Sequence, residues 1–108
     1  MWIWRCCADL FIVESVGAFE VVGYADDFLI GKSVDFLVPG YSEQMQKGIS
    51  YTPSRAVFVL VINGKDGPVL IRAARDFVLD PDSGAVTGFI GVAALAESAP
   101  VYITKNNL

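Results

Sequence analysis

Three long runs of β-branched and aromatic residues fill the second half of the chain, and the turns between them are short. Arg55 to Asn63 reads RAVFVLVIN, Val69 to Leu79 follows the turn Asn63-Gly64-Lys65-Asp66-Gly67, and Val86 to Leu95 follows Asp80-Pro81-Asp82-Ser83-Gly84. Such runs, closed by glycine, proline and aspartate, read as strands joined by tight turns. Parallel neighbours need a crossover of about a dozen residues or more, so these three strands form an antiparallel meander. Period-two alternation sets Val69, Ile71, Ala73 and Phe77 on one face of the middle strand. Leu70, Ala74 and Val78 share the other face with Arg72 and Asp76. Neither face is plainly polar, which predicts cover on both sides. Gly88 and Gly91 in the last strand suit the close approach of a helix, a ligand or another backbone.

The first half is built from shorter pieces. Trp2 to Arg5 and Leu10 to Val13 read as a hairpin across a turn at Cys7 to Asp9. Ser15 is a candidate N-cap for a short helix carrying Ala18, Phe19, Val21 and Val22. Asp26-Asp27 supplies acids to the start of the next helical turn, and Gly31 ends it. Ser33 caps a further turn over Val34 to Leu37, stopped by Pro39-Gly40, and Ser42 to Lys47 is a last helical piece.

A chain of 108 residues makes one domain with a single modest core. Its 54% hydrophobic content is high for that size, which favours an apolar face that meets a partner over a merely rich core. The longest apolar run, Ala56 to Ile62, is far short of the ~20 residues that span a bilayer, so no membrane insertion is expected. The N-terminus lacks the basic leader and apolar stretch of a signal peptide. Eight basic and twelve acidic side chains give a net charge of −4 without a basic cluster, which argues against direct nucleic-acid binding. Cys6 and Cys7 are adjacent, and a vicinal disulfide is strained; two free thiols and a cytoplasmic location are expected. The chain has no histidine, which excludes Ser–His or Cys–His nucleophilic machinery and a histidine-ligated haem. Two cysteines without histidine do not make a zinc site, so no metal is expected.

The short helical pieces carry a family resemblance. Gly23-Tyr24, then Phe28-Leu29-Ile30-Gly31-Lys32-Ser33, then Leu37 and Pro39 resemble the pattern at the same place in the PAS family. Lys65-Asp66-Gly67 resembles that family's lysine–aspartate–glycine hairpin, and Gly88-Phe89-Ile90-Gly91-Val92 is similar to its last strand. The resemblance implies an α+β fold: a five-stranded antiparallel sheet with short helices on one face and a small cavity between them. Strands are expected near residues 2–6, 10–15, 55–63, 68–79 and 85–95, with all helices between Ser15 and Gly48. Residues 1–97 would form the sensor domain and 98–108 a tail or the start of a linker. The sequence departs from the family at Cys6-Cys7-Ala8-Asp9, at Ser15 and at Ala93-Ala94-Leu95-Ala96-Glu97, where a signalling helix usually begins. The asparagine–cysteine–arginine–phenylalanine motif of the flavin-binding LOV branch has no match, so the cofactor stays open.

The function implied is a sensory or interaction module of a signal-transduction protein, such as a two-component system. It would bind a small ligand or a partner PAS domain and relay a shape change to an effector domain. A ligand-free dimerisation module is the alternative. Candidate pocket residues are Phe36, Tyr41 and Met45 from the helical cap, with Phe58, Leu60, Ile71 and Phe89 from the sheet. Trp2 and Trp4 stand on one side of the first strand; with Leu70, Ala74 and Val78 they are the expected homodimer interface on the outer sheet face. Catalysis is not expected. Asp26-Asp27 and Asp80/Asp82 sit where acids serve as caps, and Arg72, Arg75 and Asp76 would make a structural ion-pair cluster.

Overall fold

The computed structural model describes residues 1–43 and 56–96. Met45 and the tail 98–108 therefore lie outside the described residues. Five strands form one sheet: β1 (Trp2–Cys7), β2 (Ile12–Val16), β3 (Ala56–Gly64), β4 (Gly67–Leu79) and β5 (Val86–Leu95). Their order is β2-β1-β5-β4-β3, and every neighbouring pair is antiparallel. Between β2 and β3 lie α1 (Ala18–Val22), α2 (Asp26–Leu29) and a 3₁₀ turn over Val34–Phe36. The meander is as the turn lengths require, and the N-terminal hairpin is carried beside its last strand.

The β3–β4 hairpin closes on the Gly64–Gly67 pair, leaving Lys65 and Asp66 as a two-residue loop. Gly64 is needed there. A Cβ on it would lie 2.7 Å from Cγ2 of Val69 and 3.2 Å from the carbonyl oxygen of Val22. The Lys65 amide donates to that same carbonyl at 2.8 Å, so the hairpin tip is tied to the end of α1. The chain after α2 runs antiparallel to the β1–β2 connection: the Ile12 amide donates to the carbonyl of Lys32, Gly31 to Ile12 and Val34 to Leu10. The short helices are thus pinned to the sheet by backbone bonds as well as by apolar burial.

Two expectations about β1, β2 and the start of α1 need correction. Ser15 is not a helix N-cap. It lies inside β2, and α1 starts after Gly17, whose φ of 85° ends the strand. The capping acceptor is Asp26 from the next helix: its carboxylate accepts from the amides of Gly17 (3.1 Å) and Ala18 (3.0 Å). Ser33 does cap the 3₁₀ turn, accepting from the Asp35 amide.

The second correction concerns Trp2 and Trp4, expected on the outer face. They point inward, beneath the helices, where Trp2 is 4% exposed and belongs to the core with Cys6, Ile12, Leu29, Leu37, Ile71 and Phe89. The outer face carries Ile3, Arg5 and Cys7 instead. Leu70, Ala74 and Val78 do lie on that outer face by the same register.

Candidate functional site

The inner sheet face is hollow because large and small residues are unevenly placed across it. The register sets Trp2, Ala93, Ala73 and Phe58 in one row and Trp4, Gly91, Arg75 and Ala56 in the next. In the first row the bulky Trp2 and Phe58 flank two alanines, and in the second Trp4 and Arg75 flank Gly91. Gly91 is essential to this arrangement: a Cβ there would overlap the indole of Trp4. Above the depression the cap supplies Leu37, Val38 and Tyr41, and the β1–β2 hairpin supplies Leu10. Leu10 takes a left-handed φ of 66°, a strained choice for leucine, and its side chain is held there by burial to 3% exposure.

What remains is a cavity of about 50 Å³. Tyr41, Phe58, Leu60, Ile71 and Phe89 all line it, together with Trp2, Trp4 and Arg75. Phe36 does not. It is 40% exposed and sits in an outer aromatic cluster with Tyr24 and Phe28, at centroid distances of 5.3 and 5.8 Å. Lys32 covers that cluster, its Nζ 4.4 Å from the Phe28 centroid. A three-residue 3₁₀ turn leaves little room to aim Phe36 inward once Val34 and Leu37 have taken the inner side.

Arg75 is the residue that sequence reasoning placed with Arg72 and Asp76 in a structural ion-pair cluster on the sheet. It is 4% exposed, and it lies on the inner face, while Arg72 and Asp76 lie on the outer one. Its guanidinium stands 5.1 Å from the Phe77 centroid and 6.0 Å from that of Phe89. Those two rings meet edge to face at 5.2 Å. The period-two count Ile71, Ala73, Arg75, Phe77 held the signal that would have found it.

The cavity wall is coupled to the chain's polar seam. Trp2 Nε1 donates to Ser15 Oγ at 3.0 Å, and Ser15 Oγ donates to Asp26 Oδ1 at 2.7 Å. The Ser15 hydroxyl and then the Ala18 and Gly17 amides hold the Asp26 carboxyl below its ordinary range. Three elements, β1, β2 and the start of α1, thus meet at one carboxylate. The Asp35 carboxyl is likewise lowered, chiefly by the Ser42 hydroxyl and amide, and Asp80 is lowered by the Ser83 and Asp82 amides of its turn. These acids cap backbone. Cys6 and Cys7 are both free thiols; burial pushes the Cys6 thiol up to about 12, and Cys7 beside it adds to that.

This architecture is that of PAS and LOV domains. A light-oxygen-voltage domain studied with a flavin analogue superposes with a TM-score of 0.74 at 21% identity, over 98% of this chain and 84% of that one. A PAS domain from Colwellia psychrerythraea gives 0.73 at 20% identity, covering 88% and 85% of the two chains. The PAS-B domain of Drosophila melanogaster Cycle, with bound ethylene glycol, gives 0.70 at 14% identity, covering 89% and 100%. No protein-family model matches the sequence, and no curated protein matches it. The chain is a PAS-like domain by fold. The flavin of the LOV structures does not fit the cavity as it stands: about 50 Å³ is far below the roughly 300 Å³ at which pockets for larger ligands begin. Among the described residues, no helix is long and apolar enough to cross a membrane.

Proposed function

We propose that this chain is the sensory module of a cytoplasmic signal-transduction protein, with a small molecule in the inner-face cavity as its input. The observation that carries the reading is the hollow itself: large side chains arch over Ala73, Ala93 and Gly91, which leaves apolar space where a core would normally close. Trp2 is at once a wall of the cavity and the donor that reaches Asp26 through Ser15. A ligand that favours one position of Trp2 shifts the population of cap and sheet arrangements by its differential affinity. An effector domain elsewhere in the parent protein, such as a kinase, cyclase or DNA-binding output, would read that shift. Binding rather than catalysis is part of this reading; it is supported by Asp26, Asp35 and Asp80 accepting capping bonds and by burial of the Cys6 thiol, which favours its protonated form.

A second reading, a dimerisation module, draws on the outer face. The register sets Val16, Ile3, Val92, Ala74 and Val57 in one apolar row across all five strands, and Val57 is 72% exposed. Such a row would suit a second copy or another PAS domain. Extraction of the natively purified chain for mass spectrometry, with an absorbance scan and sedimentation, separates the two. A stoichiometric small molecule supports the sensor. A dimer from which nothing can be extracted, and whose cavity accepts no small-molecule probe, sinks it in favour of the scaffold.

A further inference from the structure

The two edges of the sheet are built differently. We propose that two copies of the chain join through the β3 edge, by antiparallel pairing of Val57–Val61 about a two-fold axis at Val59. This edge is a different surface from the cavity and from the outer-face row, and its pairing depends on neither.

The β2 edge is only five residues long and carries Glu14. Its pairing with β1 is broken by a register shift, and Ile12 is covered, donating to Lys32 and accepting from Gly31. Those are devices by which sheets avoid edge-to-edge pairing. β3 uses none of them. It runs nine residues, Ala56–Gly64, without a charge, a proline or a break in register against β4. The hairpin decides which of its backbone groups face out. Gly64 and Gly67 close a two-residue loop as a bonded pair, so Ile62, Leu60 and Phe58 bond β4 and the alternate residues turn their amides and carbonyls away. The Asn63 amide has that outward parity, and it donates to the Leu37 carbonyl at 2.8 Å. Among the described residues, no backbone group meets the outward side of Val57, Val59 or Val61.

That edge is self-complementary. Around an axis at Val59, Val57 faces Val61 of the partner subunit, and each facing pair exchanges both of its N–H···O bonds. The side chains at these positions are all valines on the outer face, with Val57 72% and Val61 58% exposed. Branched side chains directly opposite each other stabilise a sheet. The strand carries no charge, so two copies meet there without local repulsion although each chain carries −4. An unrelated extended peptide would find the same backbone groups without the matched valines, which favours a second copy. The ladder is short and buries less than the roughly 1,200 Å² of a standard interface, so the dimer is expected at on the order of tens of micromolar. β3 also presents Phe58 and Leu60 to the cavity between the pairing valines, so association steadies one cavity wall.

The test is amide hydrogen exchange of the native chain at low and high micromolar concentration, with sedimentation at the same points. As the dimer forms, the Val57, Val59 and Val61 amides should slow by at least about tenfold, while those of Phe58, Leu60 and Ile62, bonded to β4 in either state, change little. Val59→Pro removes an outward amide and spares the β3–β4 ladder; it should weaken the dimer by at least about tenfold. Val59→Lys sets like charges side by side on the axis and gives the same answer if the proline variant does not fold. Ile3→Asp, on the outer face of β1, should leave the dimer intact. A chain that stays monomeric at high micromolar concentration would overturn the β3 edge. So would a dimer that leaves the outward amides unprotected, one that survives both Val59 variants, or one lost in Ile3→Asp, which belongs to the outer face instead.

Discussion

Removing the Ser15 hydroxyl should cost far more than a serine at a strand end normally would. Ser15 is 8% exposed; its oxygen accepts from Trp2 Nε1 and its proton goes to Asp26. In Ser15→Ala the indole N–H is left buried without its acceptor, a penalty of about 1–3 kcal/mol. The lost bond to Asp26 adds less, because that carboxylate keeps the Gly17 and Ala18 amides and is reached by water. The expected destabilisation is therefore about 2 kcal/mol near neutral pH. With a urea slope of about 2 kcal/mol per molar, the midpoint falls by about 1 M at an unchanged slope. The pH dependence distinguishes this account from simple loss of packing. Asp26 is depressed in the folded state, so its contribution is present above the ordinary carboxylate value of 3.8 and is lost as pH falls through the folded value. Ser15 is the largest cause of the depression, so the gap between native and variant should narrow as pH falls below 3.8. Urea titrations of both proteins at pH 7 and pH 3 give the answer. A neutral-pH difference below about 0.5 kcal/mol, or a difference equal at the two pH values, refutes the Trp2–Ser15–Asp26 relay.

Gly91→Ala should destabilise by about 1–3 kcal/mol, as overpacking does, and should shift the fluorescence of Trp4, whose ring occupies the space of the new methyl. In the folded protein a thiol reagent at pH 8 should modify the half-buried Cys7 readily, while Cys6, fully buried and pushed up to about 12, reacts only on unfolding. Because Cys6 is raised in the folded state, its effect on stability is complete below its ordinary value of 9.0 and erodes as pH climbs toward 12, to be seen as a falling urea midpoint. If copies associate through the outer face, Val57→Asp should abolish the dimer seen by sedimentation, whereas a change at Trp4 should leave it intact; the reverse pattern would place the interface elsewhere.

The strands were legible because turn lengths and β-branched runs leave few alternatives, and Gly64 and Gly67 close the β3–β4 hairpin in register. Faces were harder. Period two says that Trp2 and Trp4 share a side, but the choice of side is made by distant partners: Ser15 receives the Trp2 N–H and Gly91 leaves room for the Trp4 ring. The cap of α1 was hidden for the same reason, since its acceptor, Asp26, comes from the next helix. Tyr41, Phe58, Leu60, Ile71 and Phe89 could be placed along the cavity because apolar alternation and the family pattern agree there. Arg75 was legible by parity and was passed over by residue type, because a charge is expected outside.

The most direct test of the central claim is a methyl-resolved map of where small molecules touch the folded chain. With a panel of small organic acids and neutral fragments, binding at the cavity moves the methyls of Leu10, Leu37, Leu60 and Ile71 and leaves those of Ile3, Val57 and Val92 on the outer face unchanged. Shifts confined to the outer row, or none at concentrations where the chain stays folded, would contradict a ligand-sensing cavity between the helical cap and the sheet.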